Sequence, residues 1–559
     1  MTRRRFAPLF TLVALGACAT VPAADRQPVT VQILAINDFH GNLETPLSPT
    51  HFADGDKLRQ SRLGGAAQLA ATVEHLRTGN SITVAAGDLI GASPLVSSLF
   101  LDEPSIRVLS DLGLELAAVG NHEFDRGIAE LQRMQNGGCD QYTRRTPCAL
   151  EPFAGAGFTY LAANVVDEDG ATLFPATAMR TIGDARIGFI GMTLKGTAGL
   201  VANQATAGYE FHDEATTANR LARALRAAGA DTVVVLIHEG ANVDPRFNVA
   251  GCPGLSGPIV PIAEALDPAI SLVVSGHTHQ AYSCKLATNA GAEVLLTSGG
   301  RYGGFVTDIT MRIDPAANRV LSLEGRNVAV DGSAGSVPAV ASYVARYAQA
   351  SEGVANREIG PIAPPAGEGA DCGDRIAQDL VADAYLFGAN AALDDTVDLA
   401  FVNSGGVRAD LAGADDGVLT FGELSAMAPF GNSVIVLEMN GADIKALLEQ
   451  QFCENDPAIV CNSLLIPSAG TTYTVDLDGP AGSRISALSI NGQPLDPART
   501  YRVATNNFLA GGGDGFHTFT QVPQVANVGF DIDALEAYVA TGTIVVPICG
   551  RISHVSPVD

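Results

Sequence analysis

Short polar segments carrying metal-ligand side chains follow apolar runs at several places in the first half of the chain. They are Asp38-Phe39-His40, Gly87-Asp88, Gly120-Asn121-His122-Glu123, His238 and Gly276-His277-Thr278-His279. Half of the chain's 10 histidines lie inside them. Carboxylate, imidazole and amide ligands in this pattern predict a hydrolytic site with two divalent ions, which activate water and neutralise phosphoryl oxygens. Asp88 is the natural carboxylate to bridge the two ions.

Each ligand-bearing segment comes directly after a run rich in β-branched residues. These runs are Val29 to Ile36, Ile82 to Ala86, Leu116 to Val119, Val233 to Ile237 and Leu272 to Ser275. Helical patterns alternate with the runs, for example Ala66 to Leu76 and Thr217 to Ala228. This alternation predicts an α/β domain whose ligands gather at the carboxyl ends of strands, where open α/β sheets place their sites.

As an ordered set, these motifs resemble the signature of calcineurin-like metallophosphoesterases, over roughly residues 29 to 310. The resemblance implies that one ion takes Asp38, His40, Asp88 and His279, and the other takes Asp88, Asn121, His238 and His277. It also implies that His122, oriented by Asp125, acts on the transition-state charge or the leaving group. Glu123 is expected to cap or pack.

Three glycine-containing segments in the second half supply the parts that a nucleotide pocket requires. They are Asn403 to Arg408, Pro429 to Asn432, and Ala504 to Phe516. Glycine allows the backbone to approach a ligand closely, and a neighbouring arginine can hold an anion. Two aromatic rings can sandwich a base, and an aspartate can accept hydrogen bonds from ribose hydroxyls.

In this order, and behind this first domain, the segments resemble the C-terminal domain of 5'-nucleotidases, including the periplasmic UDP-sugar hydrolases. The resemblance implies roles for six residues: Phe430 and Phe508 clamp the base, Asp514 contacts the ribose, Arg408 contacts an anion or the ribose, and Asn432 and Gly470 contact the base. The substrate pocket is then expected between the two domains.

The predicted fold class is therefore a two-domain α/β protein. Residues 1–25 form a signal or lipoprotein segment, and residues 26–335 form the metallophosphoesterase domain, for which the resemblance implies an αββα sandwich. Residues 336–370 form a linker, with a helix near Pro338 to Ala350 and a loop in the Gly/Pro-rich tract Gly360 to Gly367. Residues 371–559 form an α+β domain that binds the substrate.

The N-terminus indicates export. Arginines at positions 3 to 5 precede an apolar stretch of about 12 residues, shorter than the about 20 that span a bilayer. Leu15-Gly16-Ala17-Cys18 resembles a bacterial lipobox, which predicts lipidation at Cys18 and a place in the periplasm, outer membrane or cell surface. An ordinary secretory signal and a twin-arginine signal remain alternatives.

The cysteines fit an oxidising compartment, because eight of the 9 remain if Cys18 carries lipid. Close spacing favours the pairs Cys139 with Cys148 and Cys453 with Cys461. Cys252 with Cys284 and Cys372 with Cys549 then follow by elimination. A structural zinc site is disfavoured because the chain has no Cys-x-x-Cys pair.

The net charge of -26 and pI of about 4.7 argue against binding of nucleic-acid polymers or anionic membranes, since both need basic surface. We therefore expect a small nucleotide substrate, and membrane contact only through a lipid anchor. Two divalent ions are the expected cofactors, with Zn and Mn as the first candidates; the mixed His, Asp and Asn ligands also suit Fe and do not by themselves determine the metal. The sequence does not predict an oligomeric state.

The predicted function is an exported dimetal phosphohydrolase that releases phosphate from nucleoside 5'-monophosphates, or also UDP-sugars, by attack of metal-bound hydroxide. Alternatives are a 2',3'-cyclic-nucleotide phosphodiesterase with 3'-nucleotidase activity, a thiosulfohydrolase of sulfur oxidation, and a noncatalytic surface lipoprotein. The paired phenylalanines favour a nucleotide, because a thiosulfonate has no base to stack. The retention of His122 and Asp125 disfavours a pure scaffold.

Overall fold

The structure, a computed structural model, describes residues 27–55, 57–243, 248, 251–363, 375–411, 417–452, 464–542, 544–545 and 550–555. Cys18, Cys372, Cys453, Cys461 and Cys549 lie outside the described residues. The predicted lipidation site and two of the predicted disulfides are therefore untested. The other two disulfides, Cys139–Cys148 and Cys252–Cys284, are present, which confirms both pairings.

Strands and helices alternate along the first part of the chain. Its strands are β1 (Val29–Ile36), β2 (Thr50–Asp54), β3 (Lys57–Ser61), β4 (Ser81–Ala86), β5 (Leu116–Ala118), β6 (Thr159–Leu161), β7 (Val165–Asp167), β8 (Thr177–Ile182), β9 (Ala185–Thr193), β10 (Tyr209–Phe211), β11 (Thr232–His238), β12 (Ile270–Ser275), β13 (Ala281–Ala287), β14 (Glu293–Gly299), β15 (Phe305–Asp314) and β16 (Arg319–Ala329). Its helices are α1 (Ala66–Leu76), α2 (Leu95–Ser98), α3 (Glu103–Asp111), α4 (Ile128–Asn136), α5 (Glu214–Ala227), α6 (Ile259–Glu264) and α7 (Pro338–Ala355).

The second part mixes shorter strands with longer helices. Its strands are β17 (Glu358–Ala363), β18 (Leu399–Asn403), β19 (Val418–Thr420), β20 (Ser433–Asn440), β21 (Leu465–Pro467), β22 (Thr471–Val475), β23 (Ile485–Ile490), β24 (Gln493–Pro494), β25 (Thr500–Asn506), β26 (Gln524–Phe530), β27 (Ile544–Val545) and β28 (Ile552–His554). Its helices are α8 (Arg375–Ala392), α9 (Phe421–Met427), α10 (Gly441–Glu449), α11 (Asn507–Ala510) and α12 (Asp531–Val539).

The first domain consists of two facing six-stranded sheets, with strand orders β16-β15-β1-β4-β5-β6 and β13-β14-β12-β11-β9-β8. Apolar side chains of both sheets form one core between them, for example Ile33 and Val84 against Phe189 and Val234. Helices α1, α3, α4 and α7 cover the outer face of the first sheet, and α5 and α6 cover the second. The layers are helix, sheet, sheet and helix, which confirms the predicted αββα sandwich.

The central strands carry continuous apolar sequence because they are buried on both faces, as parallel strands between layers must be. In the first sheet β4 pairs in parallel with β1 and β5, and in the second β11 pairs in parallel with β9 and β12. The carboxyl ends of parallel strands lie at the same edge of a sheet. Segments that follow β1, β4, β5, β11 and β12 therefore meet at one place.

Helix α7 belongs to the packing of the first domain, because Val340, Val344 and Tyr347 enter its core. The Gly/Pro-rich tract after it was expected to be a loop, and that expectation is wrong for its first half. Residues 360–363 lie in β17, which pairs with β19 and β27. Glycine at position 360 permits this strand, because a Cβ there would lie 2.4 Å from the carbonyl oxygen of Val539 in α12. Tertiary pairing thus overrides the low strand propensity of Gly and Pro.

The second domain is built on a five-stranded sheet with the order β21-β18-β25-β20-β26. Helices α8 and α12 pack on one face of this sheet. Helix α10 and a small sheet, β24-β23-β22-β28, pack on the other face. This arrangement confirms the predicted α+β character. Within the described residues, the structure contains no helix that combines the length and the apolar character needed to cross a bilayer.

Candidate metal centre and nucleoside cleft

The predicted metal ligands come together where the carboxyl edges of the two sheets meet. The first sheet supplies Asp38 and His40 after β1, Asp88 after β4 and Asn121 after β5, and the second supplies His238 at the end of β11 and His277 and His279 after β12. The five residues nearest the strands are almost fully buried: Asp38, His40, Asp88, Asn121 and His238. All seven predicted ligands thus share one site.

Local backbone geometry turns these side chains toward each other. Asp38, His40, Asp88, His277 and His279 all have positive φ angles, between 46° and 72°. Such angles are uncommon for residues other than glycine, and strain of this kind is concentrated at functional sites. The loops also support each other, since the N–H of His40 donates to the carbonyl oxygen of Asp88 at 3.0 Å.

Glycine 120 permits the closest approach between these loops. A Cβ at this position would lie 2.1 Å from Oδ1 of Asp88, so no other residue fits before Asn121. The same Oδ1 accepts a hydrogen bond from the N–H of His122 at 2.9 Å. The Gly-Asn-His run is therefore placed against the Asp88 carboxylate.

The ligand atoms form three overlapping groups, each with all atoms within 4.8 Å of one another. The groups are Asp38, His40 and His279; His40, Asp88 and His122; and Asp88, His238 and His277. Asp88 belongs to two of them, with its Oδ2 lying 3.6 Å from His40 Nε2 and 2.9 Å from His238 Nε2. Asp88 is thus placed between two candidate ion positions.

Ring tautomers show that these atoms suit a metal. Nδ1 of His40 contacts the Gly91 carbonyl at 2.9 Å, and Nδ1 of His238 contacts the Ala86 carbonyl at 2.8 Å. Each Nδ1 must therefore donate, so Nε2 is the ring atom that faces the carboxylate oxygens and can bind either a proton or a metal ion. His238 Nε2 is buried and has no well-aligned hydrogen bond to any described residue. An Nε2 this close to a carboxylate oxygen needs a proton or a metal ion between the two atoms.

Protonation equilibria agree with that assignment. Burial lowers the pKa of His40 to about 3 and that of His277 to about 4, so both rings are neutral, as metal ligands must be. At His238 burial also lowers the pKa, but the carboxylates of Asp88 and Asp38 outweigh it and raise the pKa to about 10. A divalent ion among these carboxylates would replace that proton.

Beside the ligand cluster lies a pair that fits acid-base work. Nδ1 of His122 contacts both carboxylate oxygens of Asp125, at 2.9 and 3.1 Å. The His122 and Asp125 side chains are 13% and 14% exposed, so they are mostly buried but remain accessible to a ligand beside them. Burial lowers the pKa of His122, but the carboxylates of Asp125 and Asp88 outweigh it and raise the pKa above its ordinary value.

A cavity of about 290 Å³ opens between the two domains at this point, and we call it the nucleoside cleft after the ligand that the sequence predicts for it. Its first-domain wall includes Asn121, His122, Asp125, His277 and Leu200 to Ala202, and its second-domain wall includes Asn403, Arg408, Phe430, Asn432, Asn507, Phe508 and Asp514. Five of the six predicted substrate contacts therefore face the same space as the predicted catalytic pair.

Phe430 joins the two walls. Its ring stacks on the ring of His122, with centroids 5.5 Å apart and planes 15° apart. The guanidinium of Arg408 lies 5.8 Å from the Phe430 ring centroid. On the other side Asp514 is oriented by Asn403, whose Nδ2 donates to Asp514 Oδ2 at 2.9 Å.

Two family models match the chain in the order of its domains. The calcineurin-like phosphoesterase model matches residues 31–281, and the 5'-nucleotidase C-terminal domain model matches residues 355–521. The cell wall protein Lmo0130 of Listeria monocytogenes is 31% identical over 560 aligned residues, which cover 93% of this chain and 68% of that protein. The chain belongs to the 5'-nucleotidase family. It is a metallophosphoesterase-type hydrolase of that family.

Solved structures of the 5'-nucleotidase fold agree. The crystal structure of a 5'-nucleotidase precursor from Thermus thermophilus gives a TM-score of 0.73 at 25% identity, covering 95% of this chain and 100% of that chain. The sulfate thiohydrolase SoxB of Thermus thermophilus gives a TM-score of 0.65 at 16% identity, covering 94% of this chain and 97% of that chain. The second likeness shows the fold alone.

One predicted contact of this 5'-nucleotidase-family chain lies elsewhere. Gly470 does not line the nucleoside cleft. Its φ of 87° marks a turn before β22, and its carbonyl oxygen accepts from the N–H of Asn491 at 2.7 Å. The prediction that Gly470 contacts a base therefore gains no support from its position.

Two residues position the ligands: Asn37, for which the sequence predicted no role, and Glu123, which was expected to cap or pack. Asn37 donates from Nδ2 to Asp38 Oδ2 at 2.6 Å and accepts from the N–H of Gly299 at 2.7 Å. Glu123 is buried and accepts from the N–H groups of Gly120, Asp88 and Leu89 at 2.5 to 2.8 Å. Burial and the Asp88 charge raise the pKa of Glu123 to about 7. The sequence signal for both was position, since Asn37 directly precedes Asp38 and Glu123 directly follows His122.

Proposed function

We propose that this 5'-nucleotidase-family hydrolase releases inorganic phosphate from nucleoside 5'-monophosphates. One observation carries the proposal: a single cleft has the predicted metal and acid-base residues on one wall and two phenylalanines with Arg408 and Asp514 on the other. A phosphate at the first wall and a stacked base at the second would be joined by a ribose. A nucleotide is the substrate that has these parts in this order.

The ligand atoms support two ion positions that share Asp88. Asp38, His40, Asp88 and His279 would hold one ion, and Asp88, Asn121, His238 and His277 the other. Two divalent ions in such a site supply an activated water and positive charge against the phosphoryl oxygens. Zn or Mn suits this mixture of imidazole, carboxylate and amide ligands.

The chain's own residues would do the rest of the work. His122, held by Asp125 at 2.9 Å, presents an N–H that stabilises charge developing on the phosphoryl group or on the leaving ribose oxygen. Arg408 adds a cation near Phe430 in a chain whose net charge is -26. Phe430 and Phe508 hold the base by stacking, which contributes about 1 to 3 kcal/mol per base.

Other substrates remain candidates within the same site. UDP-sugars and 2',3'-cyclic nucleotides also present a base to the clamp and a phosphate to the metal residues. A thiosulfonate substrate, as in the thiosulfohydrolase alternative, would leave both phenylalanine rings without a partner. The likeness to SoxB concerns the fold only, so the aromatic clamp is what favours a nucleotide.

We also propose that the protein is exported and anchored through Cys18. The lipobox-like sequence before Cys18 supports this, as do the two disulfides, which are typical of oxidising compartments. The names of two related proteins include the words cell wall protein and precursor. Mass spectrometry of membrane-fraction protein would detect the acylated cysteine, and an unmodified N-terminal segment would contradict the anchor.

The test of the substrate is a hydrolysis panel with Zn²⁺ or Mn²⁺ that quantifies nucleoside, nucleotide and phosphate products, and released sulfate for a thiosulfonate. It would compare kcat/KM for AMP, UMP, UDP-glucose, 2',3'-cyclic AMP, a thiosulfonate and ribose 5-phosphate. We expect the nucleoside monophosphates to be the best substrates. Equal kcat/KM for AMP and ribose 5-phosphate would show that no base is gripped, and a preference for the thiosulfonate would assign the other reaction.

A further inference from the structure

A second cavity adjoins the nucleoside cleft, and we call it the outer chamber. It has a volume of about 360 Å³ and lies between the loop around Ala202 and the start of β20. Ala202 and Asn507 line both spaces, so the two cavities adjoin at these residues. Nothing in the proposed catalytic reaction uses it.

The lining of the outer chamber is polar but uncharged. Its polar groups are the carboxamides of Gln204, Asn507, Gln524 and Asn527 and the hydroxyl of Ser433, and no charged side chain among the described residues lines it. A phosphate would require cations, which this lining does not offer. Among the described residues, Asn507 is the chamber carboxamide that also lines the cleft. A carboxamide there can match the donors and acceptors on the edge of a nucleobase.

Asn507 has the best-defined geometry of these amides. Its Oδ1 accepts from the N–H of Ser433 at 2.7 Å, which distinguishes the oxygen from the nitrogen. The two N–H groups on Nδ2 have no acceptor among the residues that the structure describes. Asn507 also directly precedes Phe508 at the start of α11. Asn507 and Phe508 both line the cleft, so a base stacked on Phe508 would share this space with the Asn507 side chain.

We propose that Nδ2 of Asn507 donates a hydrogen bond to a carbonyl oxygen on the edge of the clamped base. The inference rests on the proposed function and extends it to base selection. A fixed donor favours bases that present a keto group and disfavours those that present an amino group, since two donors cannot pair. The chain would then prefer IMP to AMP and UMP to CMP, each pair differing in one exocyclic group and in the protonation of the adjacent ring nitrogen.

The experiment measures kcat/KM for IMP, AMP, UMP and CMP, each divided by the value for ribose 5-phosphate. We expect the wild-type keto-to-amino ratios to be at least about fivefold, the size of one neutral hydrogen bond. Asn507→Asp keeps an acceptor for Ser433 N–H and replaces the donor with a second acceptor. This variant should reverse both ratios, and normalisation removes the general effect of the added charge.

Gln524→Glu is the matched control, because it adds the same charge to the outer chamber at a residue that does not line the cleft. Its ratios should stay at the wild-type values. Wild-type ratios of one or below, or ratios that Asn507→Asp leaves unchanged, would overturn the assignment of Asn507 while nucleotides stay preferred. Equal wild-type rates on ribose 5-phosphate and all four nucleotides would overturn the proposed function itself.

Discussion

The metal centre and the nucleoside cleft differ in how their residues are held. Every predicted metal ligand comes from the first domain, and most are fully buried at the end of a strand. The cleft takes its walls from both domains, and Arg408, Phe430 and Phe508 are only half-buried. The first site is built into one rigid core, whereas the second depends on how two domains are placed.

This difference has a physical origin. Metal ligands must be fixed to a few tenths of an ångström, and paired strand ends with backbone hydrogen bonds provide that precision. Stacking on a base tolerates more variation and can be assembled from loops. Phe430 links the two sites because its ring reaches His122 across the domain boundary. Substitutions in the metal centre should therefore abolish phosphate release, whereas substitutions in the cleft should reduce the preference for AMP over ribose 5-phosphate.

The largest effect is expected from Asp88→Asn. Its Oδ2 lies within 3.6 Å of ring nitrogens of both His40 and His238, so the change weakens both ion positions at once. We expect phosphate release to fall by about 10³-fold or more, as loss of several kcal/mol of charge stabilisation implies. Bound metal, measured by elemental analysis, should fall with it. Exposed Asp111→Asn is the control, and near-normal activity with full metal in the Asp88 variant would disprove the bridge.

His122→Ala should come next. Loss of a positioned acid-base group costs about 100-fold or more in turnover. Metal content should stay at the wild-type level, because all seven predicted ligands remain when His122 is removed and Nδ1 of His122 is engaged by Asp125. Asp125→Asn should give a smaller loss. Unchanged turnover in His122→Ala would remove this residue from the mechanism.

Phe508→Leu tests the cleft alone. Loss of one stacking partner should weaken binding of the AMP base by about 1 to 3 kcal/mol, which lowers kcat/KM for AMP roughly 5- to 150-fold. The value for ribose 5-phosphate should change little. Phe430→Leu should lower both values, because the Phe430 ring also packs on His122. Identical substrate profiles for the two variants would contradict the separation of the regions.

The smallest effect concerns Asp531, which supports the cleft loop by accepting from the N–H of Asn432 at 3.2 Å. Burial raises the pKa of Asp531 to about 7, from 3.8. Between these values the folded state holds a proton that the unfolded state has lost, so stability falls as pH rises, by about 1 kcal/mol per pH unit. In urea unfolding between pH 5 and 7, the free energy of unfolding should fall less steeply with pH for Asp531→Asn than for the wild type. An equal pH dependence in the variant and the wild type would contradict this prediction, because it would show that the Asp531 carboxyl is solvated in the folded state.

Sequence patterns anticipated most of the first domain. The apolar runs before Asp38 and Asp88 became β1 and β4, and Ala66 to Leu76 became α1 with the same bounds. These elements are long and strongly patterned, so local preference and burial agree. The prediction of a loop in the Gly/Pro-rich tract after α7 was wrong for its first half. Gly360 is required there for the close approach of β17 to α12 and not for a turn.

The sequence alone determined the ligand types, their order and their positions at strand ends, because parallel strands bring such segments to one edge whatever the details of packing. It also predicted the disulfides Cys139–Cys148, from close spacing, and Cys252–Cys284, by elimination, and it supplied the hypothesis of a base clamp. Only the tertiary structure decided that Gly470 lies away from the cleft, that Phe430 stacks on His122, and that Asn507 faces a second chamber. These three features depend on contacts between segments that are far apart in the sequence, and the number of residues between two segments does not indicate their distance in space.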